Sequence, residues 1–168
     1  HNYPKVKQTF NLVPSLLFQL EEYTTTKVTD KAFRLSRKSI SELTFEDKKY
    51  ILNNFFTCNL ENMIIPYPRY KYLYEKNFGN DNAVNEFTND ELLDLQVWYN
   101  LTWIGELSRK NPLIQRLIDK GKNFNEIEKN LLLDYHLELM ANVLKQYKQL
   151  YKLEQIDIAV SPFYHPIL

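Results

Sequence analysis

Between Leu92 and Ile104 the chain is apolar on nearly every side of a helical wheel, and that stretch constrains the fold more than any other feature of the sequence. A helix without a polar face must be surrounded by other elements, so the reading starts from a helical core built around this segment. Thr88, followed three residues later by Glu91, gives it a capping box at its start. Gln96 and Asn100 fall one turn apart inside it, and as buried amides they are expected to find structural hydrogen-bond partners. Trp98 and Trp103 are read as core residues for the same reason. Only three glycines against twelve tyrosines and ten phenylalanines leave few tight turns and many bulky packing groups, which also favours helix.

Other helices assemble around this centre. Pro14 and Ser15 open an apolar-periodic helix running to Tyr23, Thr24 to Asp30 form a threonine-rich connector, and Lys31 to Ser39 form a weak helix. Thr44 and Asp47 cap a helix ending near Thr57. After Pro66 and Pro68 a turn or two of helix covers Tyr70 to Lys76, and Gly79 to Asn85 read as a polar loop. Asn111 before Pro112 starts a short amphipathic helix that stops near Gly121. From Asn125, Ile127, Leu131, Tyr135, Leu139, Val143, Tyr147 and Tyr151 recur every four positions and mark one helix of roughly 40 Å. His136 on this helix is expected at the core edge.

Strands are expected only at the two extremes: Lys7 to Leu12, and a short buried strand from Ile156 to Val160. The fold class is therefore mainly α with two short strands, on a single segment, 1–168. In barrel enzymes, residues at the carboxyl ends of strands line the active site. On that reading Asn11 ends the first strand, and Ser161, Phe163, Tyr164 and His165 follow the second. Amide, hydroxyl, imidazole and aromatic groups suit a sugar, which presents C–H patches and many hydroxyls.

Charge narrows the partners. Lysine plus arginine equals aspartate plus glutamate at 21 each, so a phosphate-tracking field is absent and nucleic acid is not expected. The tyrosines and cations of the YPRYKYLYEK run are read as covering a core edge. No segment has the length of a membrane span, and HNYPKVKQTF carries neither an initiator methionine nor an apolar signal core, so the chain reads as cut from a longer one. A single cysteine, Cys58, excludes an internal disulfide framework and fits a cytoplasmic location. Three scattered histidines lack ligand spacing, so no metal is expected, and no cofactor. Glu21, Glu22, Asp90, Glu91 and Asp94 are read as caps and solubilising groups rather than as general acids.

KQTFNLVPSLLFQLEEY, LLDLQVWYNLTWIGE and IDIAVSPFYHPIL together resemble three conserved stretches of glycoside hydrolase family 57, in the same order and at comparable spacing. SPFYHPIL is the most specific, Ile65 to Tyr70 agree weakly, and the resemblance spans essentially the whole chain. It implies an α-glucan-acting enzyme, of α-amylase, 4-α-glucanotransferase or amylopullulanase type, on an incomplete seven-stranded β/α barrel of which this chain is an internal part. It implies retention of configuration by a glutamate nucleophile and an aspartate acid/base, with carboxyl groups ~5–5.5 Å apart. The motifs that carry them are not in this sequence, so no catalytic residue is assigned and the chain alone is expected to be inactive. His165 would face the substrate, an α-glucan or maltooligosaccharide, with Asp157 nearby. Family members commonly have glutamate where Asp157 stands, so its side chain reaches less far. The implied partner is the remainder of the parent catalytic domain. A reading from another class is a helical module that binds a protein partner between its helices and buries its end strands.

Overall fold

The structure, a computed structural model, describes residues 5–25 and 30–163. It is mainly helical with two short parallel strands. In chain order these are β1 (Gln8–Leu12), α1 (Pro14–Thr24), α2 (Lys31–Arg37), α3 (Phe45–Asn54), α4 (Pro68–Asn77), α5 (Ala83–Glu86), α6 (Asn89–Leu101), α7 (Pro112–Lys120), α8 (Glu126–Lys152) and β2 (Ile156–Val160). Single turns at Ile40–Glu42, Leu60–Ile64 and Ser108–Lys110 connect some of them. The described residues divide into two compact units, one from residues 5–25 and 135–163 and the other from residues 30–134. The expected connector at Thr24 to Asp30 falls largely outside the described residues.

In the unit of residues 30–134, α6 is the centre. Leu92, Leu95 and Val97 are wholly buried, and Trp98 is nearly so. Ile51 of α3, Tyr70 and Leu73 of α4, Ile114 and Leu117 of α7, and Leu132 and Leu133 of α8 complete this core. Its helices begin where the sequence supplies caps. Thr44 Oγ1 accepts from the Asp47 N–H at 3.2 Å while Asp47 Oδ2 accepts from the Thr44 N–H at 3.0 Å. Thr88 and Glu91 repeat the reciprocal pair on α6. Asn111 caps α7 ahead of Pro112, and Gly121 closes it at φ 71°, where a side chain would be strained. Each cap contributes about 1 kcal/mol.

Both α6 amides found partners as expected, Gln96 fully buried and Asn100 half-buried. Gln96 Nε2 donates to Leu35 O at 2.6 Å, and Asn100 Nδ2 donates to Ser36 Oγ at 2.9 Å. Several expectations for this unit fail. Asp94 is not a surface carboxylate: it is fully buried, paired with Arg69 Nε at 2.7 Å, and accepts from the Phe124 N–H at 3.0 Å. Glu91 keeps the capping role expected of it, and is in addition buried, with Lys76 Nζ at 2.7 Å. Trp103 lies past the end of α6 and is 56% exposed. The Gly79 to Asn85 loop contains the start of α5, held by buried Ala83 and by Glu86, which accepts from Asn80 and Asn82. Finally, α3 stops at Asn54, because Thr57 folds its hydroxyl back onto Asn54 O at 2.6 Å.

The start of α8 also turns a different face inward from the four-residue stripe. Ile127 is 72% exposed, whereas Lys129, Leu132 and Leu133 are buried. Polar bonds set this rotation. Asn125 Oδ1 caps the Glu128 N–H, and Lys120 Nζ holds Glu128 Oε2 at 2.6 Å. Lys129 Nζ, wholly buried, donates to Lys38 O at 2.8 Å and Gln96 Oε1 at 3.1 Å and pairs with Glu126 Oε2 at 2.7 Å. A buried ammonium requires that many partners. Burial pushes its pKa down despite the Glu126 carboxylate, which favours the charged form.

In the unit of residues 5–25 and 135–163, β1 and β2 pair in parallel, Gln8 against Ile156 through Leu12 against Val160. Parallel neighbours cannot be joined by a tight turn; they need a long crossover, supplied here by the intervening chain. Phe10 packs edge-on against Tyr147 of α8 with ring centroids 5.5 Å apart. Phe10, Leu139, Val143, Tyr147 and Leu150 line an apolar groove, which is where the lower part of the expected stripe is used. β2 is not the buried strand expected: Ile156 is buried, but Asp157 and Ala159 are exposed and Val160 is 67% exposed. It has a strand on one edge only among the described residues.

Candidate functional site

Strand alternation sorts the pair into two faces. Phe10 points towards Tyr147, so its register partner Ile158 shares the helix-covered face, and both are half-buried. Thr9, Asn11, Asp157 and Ala159 therefore lie on the opposite face, and all four are exposed. The sheet is thus apolar towards α8 and polar outward.

At the carboxyl ends of both strands the polar face is organised. Asn11 Nδ2 donates to Ser161 Oγ at 2.6 Å, and Ser161 Oγ donates to Asn11 Oδ1 at 3.0 Å. The Ser161 N–H donates to Leu12 O at 3.3 Å, which continues the ladder one residue past β2 and brings the two side chains together. Parallel register is what allows this meeting: both strands end on the same side of the sheet. Phe163, 41% exposed, stands edge-on to Phe18 of α1 with centroids 6.4 Å apart. The carboxyl ends of the strands therefore present an amide–hydroxyl pair, with an accessible aromatic ring two residues beyond Ser161.

Of the six residues expected at the site, the structure joins Asn11 directly to Ser161 and places Asp157 on the same outward face. Phe163 follows two residues after Ser161. Tyr164 and His165 lie outside the described residues. One neighbour was missed. Thr9 stands opposite Asp157 in the register, on the same exposed face. Its signal was the two-residue spacing to Asn11, legible only once the strand pairing is known.

The buried carboxylates elsewhere are spent on structure. Burial would raise the Glu91 pKa, but the Lys76 ammonium and the Thr88 N–H outweigh it and hold the group ionised, below its usual range. Glu126 behaves in the same way: burial opposes ionisation, while Lys129 and the Ile40 N–H favour it and prevail. Among the described residues no cluster of three or more His, Cys, Asp or Glu side chains is arranged to hold a metal ion, and no helix is long and apolar enough to cross a membrane.

Comparison with known proteins gives one match. The family model described as glycosyl hydrolase family 57 covers residues 1–168. No curated protein and no solved structure matches the chain.

Proposed function

Because the chain belongs to glycosyl hydrolase family 57, we propose that it forms part of the sugar-binding wall of a retaining α-glucan hydrolase or transferase. Asn11, Asp157, Ser161 and Phe163 contact the substrate, together with Tyr164 and His165. The observation that carries this reading is the Asn11–Ser161 pair at the carboxyl ends of two parallel strands. That is the end of a strand at which β/α-barrel enzymes place substrate groups. The amide and hydroxyl offer the mixed donor and acceptor set that sugar hydroxyls need, and Phe163 offers a ring face to C–H patches.

The strand pair also supports an incomplete seven-stranded barrel as its setting. Two strands alone are marginal in water, and β2 exposes Ala159 and Val160. An independent interaction module would be expected to bury these positions; strands of a larger barrel would have them covered by the rest of the catalytic domain. On this account the nucleophile and acid/base carboxylates belong to that remainder, and the 168-residue chain does not cleave glucan alone.

Titration of the chain with maltoheptaose, followed by NMR chemical shifts, tests the site. The account expects shifts concentrated at Asn11, Asp157, Ser161 and Phe163 that weaken in His165→Ala. A folded chain whose strand-end resonances ignore the sugar at millimolar concentration would remove the basis for the proposal.

A further inference from the structure

A second cleft lies in the unit of residues 30–134, and none of the strand-end residues lines it. It has a volume of about 520 Å³, within the range of roughly 300–1,000 Å³ typical of small-molecule sites. Its walls are the Pro66–Arg69 segment on one side and residues 118–122, the end of α7 and its cap, on the other, with Trp98 beneath.

The walls are fixed in advance of any ligand. Tyr67 is tilted against Trp98 with centroids 4.6 Å apart, and its hydroxyl accepts from Arg109 Nη1 at 2.7 Å, which sets the plane of the ring. Trp98 Nε1 donates to Gly121 O at 2.9 Å and so ties the floor to the opposite wall. Arg69 is anchored through Nε to buried Asp94, and its guanidinium carries further N–H donors. A preformed cleft spares a ligand the entropic cost of ordering its site.

Charge identifies the ligand class. Of the cations at the cleft, Arg69 is neutralised by Asp94 and Lys120 by Glu128, at 2.7 and 2.6 Å. Exposed Asp119 and Lys122 add one charge of each sign. The cleft therefore has no net field to attract a phosphate or other anion, yet it is ringed by donors and acceptors around an aromatic and proline surface. A neutral polyhydroxylated ligand meets that description: hydroxyls bridge carboxylate and guanidinium, and C–H faces pack on Tyr67 and Pro68.

We propose that this cleft is a second, non-catalytic oligosaccharide-binding site, which holds a stretch of α-glucan through Tyr67, Arg69, Asp119 and Lys122. The choice of α-glucan rests on the function proposed above, but the site does not depend on the strand-end residues. In the maltoheptaose titration of the full chain, resonances of residues 66–69 and 118–122 should shift. Tyr67→Ala should weaken that binding at least tenfold, Tyr67→Phe less than threefold, and the surface change Asp119→Ala threefold or more without threatening the fold. Shifts at the cleft with none at Asn11 or Ser161 would uphold this site and sink the strand-end reading. Cleft resonances that ignore maltoheptaose, or that respond more strongly to inorganic phosphate, would overturn the second site whatever the strand ends do.

Discussion

The two units solve the problem of stability differently. Among the described residues, all but one of the buried apolar side chains lie in the unit of residues 30–134, and Ile156 is the exception. That unit also holds the buried ion pairs, Arg69 with Asp94 and Lys76 with Glu91, and the Lys129 network. The strand-bearing unit has a parallel pair, an aromatic contact from Phe10 to Tyr147, and an outward polar face. One is a buried core; the other, on the function proposed above, presents sugar-binding groups. Local stability is expected to differ accordingly, since it follows buried contacts rather than secondary structure as such.

The largest expected effect sharpens that contrast. Asp94→Ala strands the Arg69 guanidinium and the Phe124 N–H, and should cost about 3–5 kcal/mol in urea unfolding followed by tryptophan fluorescence. Val160→Ala, on the exposed strand, should stay within about 0.5 kcal/mol in the same experiment. Equal losses for the two would end the distinction between the units.

Lys129→Met comes next. It keeps an apolar stem but leaves Gln96 Oε1 without the ammonium, takes one of two donors from Lys38 O, which keeps Gln96 Nε2 at 3.2 Å, and unpairs Glu126. The expected loss is about 1–3 kcal/mol. A more stable variant would mean that the ammonium's burial outweighs its partners, and the polar hub would then be a cost to the core rather than a part of it.

Acid should act on the same unit more gently. The hydrogen bond from Lys38, then that from the Thr44 N–H, hold Asp47 down at about 2, below an unfolded value of about 3.9. A depressed carboxylate contributes stability that is complete above the unfolded pKa and disappears as pH falls through the folded one. Unfolding free energy should therefore decline from about pH 4 towards pH 2, and Asp47→Asn should flatten part of that slope by removing one titrating cap. An unchanged slope in the variant would show that Asp47 is not among the groups responsible.

Much of the core unit was legible because its signals are local. The Thr44–Asp47 and Thr88–Glu91 boxes, Asn111 before Pro112 and Gly121 after α7 each act within one turn, and the structure has a helix boundary at each. What escaped depends on distant partners. Asp94 read as a surface charge because Arg69 and Phe124, which bury and satisfy it, are far away in sequence. The inward face of α8 was missed because a lysine, satisfied by Lys38 O and Gln96, lies on it in place of an apolar residue. At the candidate site, the strand ends and Asn11 with Ser161 were legible from position in the motifs. Thr9 was not, since facing Asp157 is a property of register between strands nearly the whole chain apart.

Hydrogen exchange along the chain, with and without maltoheptaose, tests the division between core and display most directly. The account predicts slow amides in α6, fast ones in β1 and β2 without sugar, and slowing at residues 8–12 and 156–163 when sugar is added. Strand amides already as slow as those of α6, or unchanged by the sugar, would contradict it.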